Sequence, residues 1–458
     1  MPGKMIVAMI LFDGWELLDS QGPFSVLMKM ASLSKTRDFE FITVAKSKAT
    51  PTETVSHQPV FVDHDFTTCP QANVMIIPGG MGTLMAAHDA AMLSFVKRQS
   101  VEADWVTSVC TGSAILAEAG LLHGRRATSN KALFDVQARY GKEVQWIHEA
   151  RFVIDGKFIT ASGVSAGLDM AFELGGRLFD RDVVEAVKKQ IGYEPLSEGD
   201  DIFAKIHGRS QGWSNFLLSN LMTWTAPIVV PIATRAPSSA LTMLFAAKPR
   251  VLTVLLFPEF DVLDMACALE AFLGLSSTHC FELVAVNPVS VEAGKAVQVG
   301  GDSASGSRKY SSVVHIACDR WIDDNTLPAD MFPRHSRGES VVYIPSVHAS
   351  QVGILESELG RLIFQQLFSP ATQNKDSFVI GSGKVIHDQM ELHTEKPSTD
   401  ASFRGWDKTG RTFWANAGLH NVTAALSAVK ELVGEKAVVD TAVTMEISPA
   451  YLPEGVHL

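Results

Sequence analysis

Cys110 is the residue whose setting most directly suggests chemistry. It lies in WVTSVCTGSAILAEAGLL, Trp105 to Leu122, where an apolar strand runs to Val109 and a helical pattern begins at Ala114. A side chain between strand end and helix start points out of the sheet. It also sits at the positive end of the helix dipole, which predicts a lowered thiol pKa and a nucleophilic thiolate. Gly112, Ser113 and Ala114 are small and leave room for a reactant. The arrangement follows the logic of a hydrolase elbow. The same residues also suit a small cysteine packed behind the sheet.

Two further segments bring polar groups to the same place. MIIPGGMGT, Met75 to Thr83, ends a second strand in paired glycines. Gly79 and Gly80 free the backbone to aim N–H groups at a ligand, and with the Thr111 N–H they are an oxyanion-type candidate. A tight turn is the plainer use of that pair. Asp19, in Leu-Leu-Asp-Ser-Gln-Gly-Pro, follows the first strand and precedes a helix. It is placed either to cap that helix or to act as a general acid or base. In a parallel sheet all three strand ends share one edge, where such folds bind ligands.

The elements that must position these groups are legible from pattern. MIVAMILF, FITVA, VMIIP, VLTVLLF and ELVAV are continuous apolar runs, as expected of parallel strands buried on both faces. The chain also repeats itself. Ile6 to Leu27 matches Val251 to Phe272, with Leu11, Phe12, Leu18 and Asp19 opposite Leu256, Phe257, Leu263 and Asp264. FEFITVA then faces FELVAVN, MIIPGGMGT faces VYIPSVHAS, and Gly156–Ala186 faces Gly410–Asp440. The expected architecture is therefore α/β, with two sandwich domains at 1–195 and 251–458. Residues 196–250 form a linker with a short helix near Trp213 to Trp224. The polar stretches Asp302–Gly338 and Thr394–Lys408 read as loop insertions.

Composition narrows the function. The 458 residues carry 39 basic and 50 acidic side chains, a formal charge of −11, and 46% hydrophobic residues. A disordered chain is excluded by that much apolar content, and an acidic one lacks the positive field that recruits phosphate backbones. Five cysteines are too few for a disulfide framework and fit a reducing, cytoplasmic setting. No signal peptide is visible, and the most apolar stretch, Phe216 to Ala233, is broken by Asn220, Pro227 and Pro231. His57 and His64 lack ligand spacing, so no metal is expected, and no cofactor motif is present.

LFDGWELLDSQGP, MIIPGGMGT, SVCTGSAILAEAGLLHGRRAT and ITASGVSAGLDMAFEL, spanning most of residues 5–195, resemble the ThiJ/PfpI superfamily. This is a group with a class-I-glutamine-amidotransferase-like, flavodoxin-type fold, and its isonitrile hydratase-like branch is the nearest likeness. The resemblance implies a three-layer fold and a cysteine-dependent addition of water to an isonitrile. Cys110 would be the nucleophile, Asp19 the acid–base group and Thr111 the group that holds the adduct or the water. It also implies a small-molecule substrate and a paired arrangement, either a pseudo-dimer within the chain or a homodimer. Peptidase- and glyoxalase-like members commonly have His after the cysteine, or a Glu on the first helix where this chain has Ser25. Ser129 and Asn130 depart from the Thr-His-Trp of many relatives and alter the pocket wall. In the second half, SFVIGSGKVI set against TSVCTGSAIL places Ile380 at the nucleophile position and Gly381 at that of Thr111. Asp264 and Glu270 keep the acid positions, while Cys267, Cys280 and Cys318 lie elsewhere, so that half reads as a degenerate copy. The alternative functions are a glyoxalase or deglycase, a redox stress-response protein using Cys110, and a ligand-sensing module.

Overall fold

The computed structural model describes residues 4–55, 59–199, 201–208, 250–257, 260–273, 281–287, 297–300, 313–316, 320–321, 340–347, 352–367, 377–391, 406–409, 412–415 and 418–458. In the first half, β1 (Met5–Ile10) is followed by α1 (Leu17–Leu33), β2 (Phe39–Ala45), β3 (Thr52–Glu53), β4 (Pro59–Phe61), β5 (His64–Asp65) and β6 (Val74–Ile77). Helices α2 (Thr83–Ala86) and α3 (Ala90–Glu102) lead to β7 (Trp105–Val109), a 3-10 turn (Cys110–Gly112) and α4 (Ser113–Glu118). The half continues with β8 (Arg126–Ala127), α5 (Phe134–Gln137), β9 (Gln145–Trp146), β10 (Phe152–Asp155), β11 (Phe158–Ala161), α6 (Ala166–Leu178), α7 (Arg181–Ile191) and α8 (Ile202–His207).

Seven of these strands form one sheet in the order β10-β11-β7-β6-β1-β2-β5, parallel except for β10 against β11. The apolar runs form its core: Val7, Met9, Ile10, Val74, Ile76, Ile77, Val106 and Val109 are all fully buried. Residues that are apolar at every position can only be desolvated between two helical layers, which is why the sheet is parallel and covered.

The second half gives β12 (Arg250–Leu255), α9 (Val262–Leu273), β13 (Phe281–Asn287), β14 (Val297–Gly300), β15 (Val313–Ile316), β16 (Arg320–Trp321) and β17 (Ser340–Ile344). It continues with α10 (Val352–Leu355), α11 (Glu358–Leu367), β18 (Ser377–Ser382), α12 (Gly383–Glu391), β19 (Trp406–Thr409), β20 (Thr412–Ala415), α13 (His420–Val433) and α14 (Glu435–Thr444). Its seven-stranded sheet runs β16-β13-β12-β17-β18-β20-β19. Read from the opposite edge, this is the strand order of the first sheet.

The halves are joined by more than a tether. Helices α1 and α9 pack together. Lys29 Nζ lies 2.5 Å from Asp261 Oδ2. Strand β15 pairs antiparallel with β4, so a four-stranded sheet β14-β15-β4-β3 draws on both halves.

Several expectations change here. The register pairs Ile77 with Ser108 in the first sheet and Ile344 with Gly381 in the second. Gly383, at φ +75°, is therefore the counterpart of Cys110, rather than Ile380. Counting residues from the flanking apolar pattern missed the offset because β18 extends to Ser382. The stretch expected as one loop at 302–338 contains β15 and β16, and β19 lies at the end of the one expected at 394–408. Within 196–250 the described helix is α8. The helix expected near 213–224 and the apolar stretch 216–233 lie outside the described residues. Among the described residues no helix is long and apolar enough to cross a membrane.

Candidate active site

Cys110 begins the turn between β7 and α4 with φ +56°. A left-handed backbone is unfavourable for a residue with a Cβ, and it persists only where the surroundings impose it. Two contacts impose it here. The Cys110 carbonyl accepts the Ser129 hydroxyl at 3.1 Å, and that hydroxyl in turn accepts from Ser113 Oγ at 2.8 Å. On the other side Gly79 presses against the turn. A Cβ at Gly79 would lie 2.6 Å from Thr111 N and 2.8 Å from Cys110 Cβ, so the two strand ends meet only because this residue is glycine.

Asp19 is fully buried in the first turn of α1. Its Oδ2 accepts the Gly79 N–H at 3.0 Å, which fixes the carboxyl at the end of β6. Its Oδ1 is buried and makes no hydrogen bond. Burial holds the Asp19 pKa well above the carboxylate range, and the charge of Glu16 adds to this; the Gly79 N–H and the nearby Cys110 thiol act in the opposite direction. The thiol is thus close enough to favour the carboxylate.

Cys110 is buried, 8% exposed as a residue. Burial pushes its pKa well above the ordinary value, the negative charge of Asp19 raises it further, and the Thr111 N–H opposes both. This reverses the expectation of a dipole-stabilised thiolate. Helix α4 has six residues and starts only after the 3-10 turn, so its field is weak beside the cost of burying an anion.

Thr111, Gly79 and Gly80 come together, but with different roles from those expected. The Gly79 N–H is taken by Asp19, and the Gly80 N–H donates to Thr111 Oγ1 at 3.0 Å. That hydroxyl also meets Thr83 Oγ1 at 2.9 Å and the Gly80 carbonyl at 3.2 Å, so it pins the glycine loop. Of the expected oxyanion donors, the Thr111 N–H is the one that bears on the sulfur. A cavity of about 500 Å³ flanks the far side of this loop, lined by Phe12, Asp13, Phe66, Gly82, Met85 and His88 among others. Among the described residues no cluster of three or more His, Cys, Asp or Glu side chains is arranged to hold a metal ion.

Three more acids lie near the Cys110–Asp19 pair; the sequence shows no sign of Glu16 or Glu446 there, and places Glu270 only in its own half. Glu16 caps α1 and accepts the Leu17 N–H at 2.9 Å. Glu270, from α9 of the second half, reaches the first turn of α1. Burial raises its pKa well above the usual range, followed by the charge of Glu16, a hydrogen bond with Glu16 and the charge of Asp19, while the Leu18 N–H lowers it. When the two halves are aligned, Glu270 stands opposite Ser25. Glu446 is the third, and its charge bears on both Cys110 and Asp19.

In the second half Asp264 stands opposite Asp19 in the sequence alignment and is likewise buried, but its contacts differ. Its Oδ1 accepts the Gly418 N–H at 2.6 Å, and its Oδ2 accepts the hydroxyls of Ser382, at 2.7 Å, and Ser346. Burial, then the charge of Asp261, raises its pKa to about 6. Gly383 leaves this carboxyl without a thiol partner. Cys267 is buried within α9, and Cys280 and Cys318 lie outside the described residues.

Residues 5–175 match the DJ-1/PfpI family. An isonitrile hydratase of Pseudomonas putida is 35% identical over 194 residues, which cover 42% of this chain and 81% of that protein. A deglycase of Pyrococcus horikoshii is 29% identical over 89 residues, covering 19% of this chain and 52% of that one. Among solved structures, a ThiJ/PfpI family protein from Pseudomonas syringae is 29% identical and superposes with a TM-score of 0.40, covering 50% of this chain and 91% of that chain.

Proposed function

This chain belongs to the DJ-1/PfpI family, and on that premise we propose that its first half adds water to an isonitrile, R–N≡C, to give the N-substituted formamide, with Cys110 as nucleophile. The observation that carries the reading is the left-handed Cys110 set against a fully buried carboxyl, Asp19, which the Gly79 N–H fixes at the end of β6. The similarity to the Pseudomonas putida isonitrile hydratase supports the choice of substrate class.

The isonitrile carbon bears a lone pair and accepts both a nucleophile and a proton. Sulfur forms a C–S bond to it while Asp19 delivers its proton to that carbon and receives the thiol proton in exchange. The product is a thioimidate, R–N=CH–S. Water then adds across C=N: its oxygen bonds to carbon, and one of its protons passes through Asp19 to nitrogen. The tetrahedral adduct expels the Cys110 sulfur, which recovers the hydroxyl proton, and R–NH–CHO leaves. Each stage is easier than direct hydration, which is what covalent catalysis contributes. A neutral acid is the form the first stage needs, so the raised Asp19 pKa suits it. The Thr111 N–H supports the sulfur, and the Thr111 hydroxyl holds the Gly79–Gly80 loop in place.

In this reading Cys110, Asp19 and Thr111 form the catalytic group, with Gly79 and Gly80 as the wall beside the substrate. The second half is a duplicated copy, residues 251–458, that has lost its thiol at Gly383 and serves the first as an internal partner. The test is formamide formation by purified protein, compared with Cys110→Ser and Asp19→Asn. Loss of turnover in both variants is expected; undiminished hydration by Cys110→Ala would overturn the mechanism. Methylglyoxal in the same panel tests the glyoxalase and deglycase alternative, which would show as lactate formation.

A further inference from the structure

Glu446 follows the end of α14 with φ +53°, one of three non-glycine residues at positive φ among the described residues. In the repeat it stands where the first half has Gly192, at φ +64° after α7. A glycine position occupied by a side-chain-bearing residue stores strain, and strain of this kind is kept where the side chain has work to do.

The Glu446 carboxylate is buried inside the first half. Its Oε1 accepts the Lys131 N–H at 3.2 Å, and its Oε2 accepts the Ser162 hydroxyl at 2.9 Å and lies 3.4 Å from Arg151 Nη1. Its own carbonyl accepts from Arg151 Nη2 at 3.3 Å and from the Ser165 hydroxyl. The first half is shaped to receive it: a Cβ at Gly163 would fall 2.2 Å from Glu446 Oε2. The strip that Glu446 grips runs directly to the nucleophile. Lys131 Nζ donates to the Ser129 carbonyl at 3.4 Å, and Ser129 Oγ donates to the Cys110 carbonyl at 3.1 Å. This is the Ser129–Lys131 segment whose sequence departs from relatives.

We propose that Glu446 is a positioning residue for Cys110, by which the second half clamps the Ser129–Lys131 strip and the Ser162–Ser165 turn and so keeps the thiol in its left-handed conformation. The inference rests on the reading of Cys110 as the nucleophile, but not on the identity of the substrate. The second half then completes the site rather than merely accompanying it.

The test uses the full-length protein and two readouts. One is the second-order rate of Cys110 alkylation by iodoacetamide, with the modified peptide identified by mass spectrometry. The other is kcat and KM for formamide formation. Glu446→Gly fits the left-handed backbone but removes the carboxylate. It should raise the alkylation rate at least fivefold, by loosening the turn, and lower kcat about tenfold with little change in KM. Glu446→Gln keeps one of the two acceptors through its amide oxygen and loses the other with the charge, so it should fall between wild type and Glu446→Gly. Equal rates in wild type and Glu446→Gly would overturn the proposal, as would a Glu446→Gln rate outside the interval between them. If Glu446→Gly does not fold, Ser162→Ala decides: a threefold faster alkylation is expected, and an unchanged rate overturns the clamp. If alkylation behaves as expected while wild type hydrates no isonitrile, the clamp stands and the hydratase reading fails.

Discussion

Arg151→Met is the perturbation whose size follows most directly from the structure. Arg151 is fully buried, with Nε 2.7 Å from Asp169 Oδ2 and Nη1 3.4 Å from Glu446 Oε2. It also donates to Ser165 Oγ at 2.5 Å. Methionine fills much of the same volume, so the lost packing is small and the cost is electrostatic. Two buried carboxylates, one from each half, lose their common cation. Breaking a buried pair from one side costs about 3–5 kcal/mol. At about 2–4 °C per kcal/mol for units of this size, the transition should fall by roughly 6–20 °C. The pH dependence has a definite sign. Burial already raises the Glu446 pKa, and Arg151 is the largest influence lowering it. Without Arg151 that pKa rises further. An acid with a raised folded-state pKa contributes stability at low pH and loses it as pH climbs through the folded value. The gap between variant and wild type should therefore be wider at pH 8 than at pH 5, and adding Glu446→Gln should recover part of it. Scanning fluorimetry of wild type, Arg151→Met, Glu446→Gln and the double variant at the two pH values makes the measurement. A shift below about 2 °C, or an equal gap at both pH values, would show that the cluster does not act as a charge network.

Two more expectations follow from the geometry of the elbow. Gly79→Ala places a Cβ 2.6–2.8 Å from Thr111 N and Cys110 Cβ; overpacking of about 1–3 kcal/mol and a displaced thiol are expected, with kcat/KM falling on the order of 100-fold. Retention of full activity would mean that the turns can separate freely. Because burial and the charge of Asp19 raise the Cys110 pKa, iodoacetamide should react slowly at pH 7 and its rate should climb only above the pH at which a free thiol ionises. A rate that is already maximal at neutral pH would indicate a thiolate.

Much of this was legible in the chain, and the limits are physical. Continuous apolar strands predict a covered parallel sheet because no other arrangement desolvates both faces, and residues 5–10, 74–77 and 105–109 form its centre. The strand–cysteine–helix junction and the Pro-Gly-Gly strand end were readable because glycine and small residues at fixed spacing have few uses. What Cys110 would do there was less readable. Helix dipole and burial push a thiol in opposite directions, and only the packing shows which dominates. Glu446 was invisible for another reason. Its partner Arg151 lies 295 positions away, and no local pattern marks a carboxylate that crosses between halves. Glu270 was noticed but misread: it was taken as a leftover of its own copy, whereas it faces Glu16 of the other.

The same separation has a consequence in time. During synthesis at about 5–20 residues per second, Glu446 emerges roughly 15–60 s after Arg151. Throughout that interval the nascent first half holds an interior cation facing Asp169 alone, a serine turn with open donors and a glycine cleft waiting to be filled. Strand β4 likewise waits for β15 with its edge uncovered. On the proposed reading the first half would wait with a sticky edge and an unset Cys110 turn until the segment around Glu446 docks.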